Sequence, residues 1–171
     1  MKLEHFHVEV DGADRWDLGK LYVEHATNHD AYAVAKGLRR ADRDEVAAVT
    51  EQSPIRVLID GINNSSPCFT IKTTDGKPCG IFGTRDSGYP DSGVVWLLGT
   101  DDLVTESRTF IRFSKRWLDE LHKHYRLLYN VIDARNEVHL EWLDWMGFEF
   151  VKELPRYGVE RRKFILFRRY V

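Results

Sequence analysis

The side chains with metal-binding or nucleophilic chemistry in this 171-residue chain include seven histidines and two cysteines. His5 and His7 lie two apart in an alternating run, which would place both on one strand face. His25 and His29 stand one helical turn apart. Either pair offers two ligands, but no cysteine or carboxylate cluster completes a four-ligand set, so no metal centre is expected. Cys68 and Cys79 flank Asp75-Gly76, a two-residue hairpin signal. Setting Thr74 opposite Lys77 pairs Cys68 with Gly83 and Cys79 with Lys72. The sulfurs are then several residues apart along the ladder, too far for a disulfide. Two reduced thiols in a cytosolic setting are the expectation.

Charge narrows the partners. There are 25 Lys+Arg against 27 Asp+Glu, a net −2, which favours neither nucleic acid nor an anionic membrane. Arg161-Arg162-Lys163 and Arg168-Arg169 bracket an apolar run, but no aromatic stacking pattern accompanies them, so they read as solvated strand ends. No stretch approaches the roughly 20 apolar residues of a membrane span, and the N-terminus carries no signal-peptide core. A cytoplasmic protein is expected. The length suits a single domain over 1–171, able to bury roughly 70% of its unfolded surface.

The elements that must position any site are clearest from Val94 to Phe148. Val94-Val95-Trp96-Leu97-Leu98 is apolar without alternation, as in a strand covered on both faces, and it stops at Gly99-Thr100-Asp101-Asp102. Phe110, Phe113, Trp117 and Leu121 follow at spacings of three and four, the apolar stripe of a helix from about Thr105 to Tyr125. A second buried strand, Leu127 to Ile132, leads through Asp133-Ala134-Arg135-Asn136 into a shorter helix that Gly147 ends.

The remainder is read around that unit. His5 to Val10 alternates as a strand, Asp11-Gly12 breaks it, and a weak helical pattern runs from Trp16 toward Ala26. Asp42 with Glu45 reads as a capping box opening one helix, and Ser53-Pro54 opens another. A hairpin follows from Cys68 to Arg85 with Phe69 facing Phe82; Gly80 and Gly83 mark a bulge or a close approach. After Gly147, Phe148 to Val151 is a strand, Pro155 to Glu160 a loop, and Phe164 to Phe167 a last buried strand. The fold class is α/β, a mixed central sheet with helices on both faces, in the order β-α-α-β-β-β-α-β-α-β-β.

That order, together with Asn136 and Gly147-Phe148 eleven positions on, resembles the GNAT superfamily of acyl-CoA-dependent N-acetyltransferases. More closely, about Leu38 to Tyr170 resembles the GNAT-like proteins of tailed bacteriophages, a branch associated with internal virion and morphogenesis proteins. The signature is Trp96-Leu97-Leu98-Gly99-Thr100, the basic long helix, and Asn136-Glu137-Val138-His139-Leu140-Glu141-Trp142-Leu143. The first thirty or so residues lie outside it.

The resemblance implies that acetyl-CoA or coenzyme A lies where the two central strands splay. Backbone groups of Trp96, Leu97, Leu98 and Gly99 would meet the thioester, the N-terminus of the long helix the pyrophosphate, and Asn136 the pantetheine arm. Two departures stand out. The family's phosphate loop, Gln/Arg-x-x-Gly-x-Gly/Ala, is replaced by Asp101-Asp102-Leu103-Val104-Thr105-Glu106-Ser107-Arg108, with no glycine and three carboxylates. Arg108 and Arg112, one turn apart, are then the phosphate ligands the side chains offer. The family's general-acid Tyr, seven positions after the Asn, falls on Leu143. His139, Asp133 and Asp101 are the remaining acid/base candidates. Two function classes follow from the resemblance: an acyltransferase acting on an amine of a protein or small molecule, and a catalytically degenerate fold serving as virion component or binder of a host protein.

Overall fold

Residues 2–171 are described by a computed structural model, and its strands form one sheet. In chain order they are β1 (His7–Val10), β2 (Ala13–Asp17), β3 (Leu21–His25), β4 (Cys68–Thr73), β5 (Pro78–Asp86), β6 (Ser92–Gly99), β7 (Leu127–Asp133), β8 (Glu149–Tyr157) and β9 (Arg162–Tyr170). The helices are α1 (Asn28–Lys36), α2 (Arg40–Val49), α3 (Pro54–Asn63), α4 (Asp101–Thr105), α5 (Ser107–His122) and α6 (Glu137–Trp145). The sheet order is β1-β2-β3-β4-β5-β6-β7-β9-β8; β6 and β7 are parallel and every other neighbour pair is antiparallel.

Helices cover both faces, and each face has its own core. Phe113, Trp117, Leu118 and Leu121 of α5 pack with Phe69, Phe82, Leu128 and Phe167 on one face. Ala31, Val34, Val46 and Leu58 of α1–α3 pack with Ile81 and Leu98 on the other. Alternate residues of β6 therefore serve opposite cores, which is why its sequence is apolar without alternation. No helix among the described residues is long and apolar enough to cross a membrane.

Several elements differ from the sequence reading, each for a tertiary reason. Trp16 to Ala26 is not helical: β2 and β3 form there, and Leu21, Tyr22 and Val23 are all buried against β4. Side chains at spacing three to four carried that helical expectation, and strand pairing overrode it. His25 consequently ends a strand while His29 lies in α1, and His5 sits in a 3-10 turn ahead of His7, so neither pair shares a face as expected. Helix α2 begins at Arg40 after the N-cap Arg39, so Asp42 and Glu45 lie inside the helix rather than capping it. Ser53 is an N-cap without a side-chain bond, with Pro54 at the first helical position.

The long helix expected from about Thr105 to Tyr125 forms as α5, and a short α4 that the sequence reading did not include precedes it, the two separated at Glu106 by its φ of −95° and ψ of 21°. In the β4–β5 hairpin Cys68 pairs with Gly83 and Phe69 with Phe82, but the ladder shifts after Ile71, so Lys72 pairs with Pro78 and Cys79 falls in the bulge. Strand β8 runs on through Tyr157 where a loop was expected, since pairing with β9 continues to Tyr157 and Arg162. Gly147 follows α6 at φ +82°, the left-handed stop its sequence position predicts.

Candidate active site

Strands β6 and β7 pair only at Ser92–Leu127, Gly93–Leu128 and Val94–Tyr129, then part. At the fork Asn130 Nδ2 donates to the Val95 carbonyl at 2.8 Å, a side chain standing in for the lost ladder bond. At the far end of β6 the Gly99 N–H donates to Asp42 Oδ2 at 2.8 Å and the Gly99 carbonyl accepts from Arg39 N–H at 3.0 Å. Backbone groups alternate sides along a strand, so the edge facing the gap carries Val95, Leu97 and Gly99. Leu97 lies between the two occupied positions and has no partner in β7.

The gap opens a cavity of about 340 Å³ that passes through the sheet. On the α5 and α6 side it is walled by buried residues, among them Phe113, Trp117, Leu118, Leu143 and Phe148. On the other side its lining includes exposed Val49, Asp60 and Arg85, which places its mouth between α2, α3 and β5. Gly61 of α3 lets that helix lie against Trp96: a Cβ there would stand 2.8 Å from the indole.

A buried polar cluster closes the end of the gap. Arg39, on the turn before α2, donates to Asn136 Oδ1, and its Nε stands 3.0 Å from Asp42 Oδ1, an ion contact too far off line for a hydrogen bond. Asn136 Nδ2 donates to Asp42 Oδ1 at 3.2 Å and Glu45 Oε2 at 3.3 Å, and Glu45 Oε2 also accepts from Asp133 N–H at 3.0 Å. Asn136 is 1% exposed with both amide atoms engaged. Its bonds run within the protein, and it is not among the residues that line the cavity.

Desolvation pushes the Glu45 carboxyl up to about 8, with the charges of Asp42 and Asp133 adding to it; bonds from the Asp133 N–H and Asn136 only partly offset this. Glu45 keeps some exposed surface, yet enough protein surrounds it for desolvation to dominate. It therefore holds a proton at neutral pH, and because Oε2 accepts two bonds the proton belongs on Oε1. Burial likewise pushes His139 down to about 4, against the pull of Asp42, so its ring is neutral. His139 Nδ1 lies 3.7 Å from Asp42 Oδ1, and its buried Nε2 has no partner.

The sequence candidates thus separate. His139, Trp96, Leu97 and Leu98 line the cavity, joined there by Glu45, which was not among them, while Gly99 lies just beyond at the closed strand end. Asp133 is turned into an ion pair with Arg135, whose Nη2 lies 2.6 Å from its Oδ2; burial would raise its pKa, but Arg135 more than offsets this and keeps the carboxyl ionised. Asp101 is exposed at the start of α4, outside the cavity lining. Arg108 and Arg112 lie exposed on α5 without an ion pair among the described residues. Glu45 was missed because its spacing from Asp42 also fits a capping box; only the helix start at Arg40 separates the two readings.

No protein-family description matches the chain, and no curated protein matches it in sequence. Solved structures match in fold. An acetyltransferase of the GNAT family from Bacillus anthracis superposes with a TM-score of 0.65 at 10% identity, covering 89% of this chain and 95% of its own. A ribosomal-protein-alanine N-acetyltransferase from Brucella melitensis gives 0.66 at 14%, covering 87% and 99%. A Salmonella typhimurium protein solved with its cofactor acetyl-CoA gives 0.68 at 12%, covering 89% and 94%. The chain has the GNAT acetyltransferase fold.

How well this site suits an acyl-CoA differs along its length. The acyl-thioester arm fits: the gap supplies an edge N–H at Leu97, a cavity behind it and the orphaned His139 Nε2. A pyrophosphate held on a helix N-terminus does not, because α4 presents Asp101 and Asp102 in its first turn and Leu103 fills the space over Gly80 and Gly99.

Proposed function

We propose that this chain is a phage-encoded acyl-CoA-dependent N-acyltransferase that passes an acyl group to an amine of a protein or small molecule. One observation carries the reading: β6 and β7 part after Val94, and the gap opens on a cavity shared by a neutral imidazole, a protonated carboxyl group and an unpaired strand edge. The phage origin rests on the Trp96–Thr100 and Asn136–Leu143 signature, and makes the host cytoplasm or the virion its place of work.

Acyl-CoA supplies the activated thioester. The Leu97 N–H donates to the thioester oxygen, where negative charge develops. His139 Nε2, neutral and unpartnered, takes the proton that the amine loses, with Asp42 beside Nδ1 stabilising the imidazolium. Glu45, protonated at neutral pH, gives its proton to the departing thiolate in place of the absent Tyr, and regains one afterwards from His139 through solvent. Positioned acid and base groups contribute about 10²–10⁴ each to such a reaction.

The Asp42–Gly99 bond favours a second reading, a GNAT fold retained as an assembly component or a binder of a host protein, because it already fills the end of the gap. Thiol release from acetyl-CoA with a panel of primary amines and peptide N-termini decides between them. Turnover that falls by about 10²-fold or more in His139→Gln and in Glu45→Gln supports the enzyme. Purified protein that neither binds acyl-CoA nor transfers to any amine sinks it.

A further inference from the structure

We propose that the cavity behind the β6–β7 gap is a binding site for a medium-chain or aryl acyl group, so that the donor is selected by its acyl part. As a donor site this rests on the acyl-transfer reading; as a binding site for an apolar chain it stands alone.

Three observations carry it. The first is size: about 340 Å³, counted over both faces of the sheet, lies within the range of small-molecule sites and far exceeds the volume of an acetyl group. A protein interior is otherwise closely packed, and walls without partner atoms lose their dispersion contacts. The second is lining. Ile71, Phe82, Phe113, Trp117, Leu118 and Phe148 make the inner wall, a surface complementary to hydrocarbon or a flat ring.

The third is an orphaned donor. Trp117 is 6% exposed, lines the cavity, and its Nε1 has no partner. Its ring is fixed by Trp16, Phe69 and Phe82, whose ring centroids stand 4.8–5.5 Å from its own. An indole N–H can only donate, so an occupant with an acceptor oxygen, such as the carboxylate of decanoate, can satisfy it. The nucleotide end offers acidic Asp101 and Asp102 instead of a phosphate cradle, which leaves discrimination to the chain.

The test is calorimetric titration of the full chain with decanoate below its micelle concentration, acetate, decanoyl-CoA and acetyl-CoA. Decanoyl-CoA should bind ~10-fold or more tighter than acetyl-CoA, given the apolar surface each added methylene buries. Decanoate should bind measurably and acetate should not. Tryptophan emission should shift on decanoate binding, and the shift should shrink in Trp117→Phe, with Trp96 and Trp142 of the same lining supplying the remainder. Ser114→Phe, which fills the cavity from α5, should weaken decanoate while its melting transition confirms that it folds. Equal binding of decanoyl-CoA and acetyl-CoA, with no binding of decanoate by the unaltered chain, overturns the site even if acetyl transfer is observed. Decanoate binding with no affinity for any acyl-CoA upholds the site and removes the acyl-transfer reading instead.

Discussion

Asp42 of α2 holds the backbone N–H of Gly99, the last residue of β6, at 2.8 Å. The same carboxylate faces Arg39 and Asn136 and is 0% exposed, so one side chain joins α2, β6 and the start of α6. Removing it would leave Arg39 buried without its counter-charge. Asp42→Ala should therefore cost about 3–5 kcal/mol, the usual penalty for breaking a buried pair from one side. Urea unfolding measures it. A loss under about 1 kcal/mol would mean that water, not this carboxylate, satisfies Arg39 and Gly99.

Glu45 and His139 make stability depend on pH in opposite directions. Glu45 has its pKa raised from 4.5 to about 8, so its favourable contribution is complete below 4.5 and is lost as pH rises through 8. His139 is lowered from 6.5 to about 4, so its contribution is present above 6.5 and is lost as pH falls through 4. The two slopes oppose each other between 4.5 and 6.5 and leave only the Glu45 slope from 6.5 to 8. Stability should fall by roughly 1–2 kcal/mol over that upper window. Glu45→Gln should flatten it. A wild-type curve already flat from 6.5 to 8 would show that Glu45 is ionised throughout.

How much of this was legible depended on whether a residue's role is set by its neighbours in sequence. Trp96, Phe113, Trp117 and Leu128 declare their buried strands and helices by local pattern, and Gly147 its stop. The β2 and β3 strands do not, because Leu18, Leu21 and Tyr22 match a helical spacing until β3 pairs with β2 on one side and β4 on the other. The site was half visible. His139 and Asn136 stand beside a recognisable helix start, but what they touch is α2, ninety-four residues from Asn136 at Asp42. No local signal tells that Asp42 and Glu45 face the gap, nor that α4 breaks from α5 at Glu106.

Cys68 and Cys79 are both free thiols, and burial pushes each up to about 12. Thiolate, the reactive form, is then scarce at neutral pH. Reaction of the native protein with a disulfide reagent at pH 7.5 should be slower than that of a free cysteine by about 10²-fold or more. Two equivalents should appear on denaturation. Rapid modification of either thiol in the native state would contradict the burial assigned to it.

Arg108 and Arg112 give the sharpest test of how a nucleotide is held. Both are exposed on α5 and neither is committed to an ion pair among the described residues, so replacing them should leave the unliganded protein within about 0.5 kcal/mol of its stability. If they grip the donor's phosphates, acyl-CoA at about 100 times its dissociation constant should stabilise the wild type by about 2.7 kcal/mol. The Arg108→Ala/Arg112→Ala variant should lose most of that at the same ligand concentration. The matching acyl-pantetheine, which has no diphosphate, should stabilise both proteins equally. Thermal melts with each ligand make the comparison. An equal loss with acyl-pantetheine would place the arginines against the arm or the acyl group, and an undiminished acyl-CoA shift would show that neither side chain holds the phosphates.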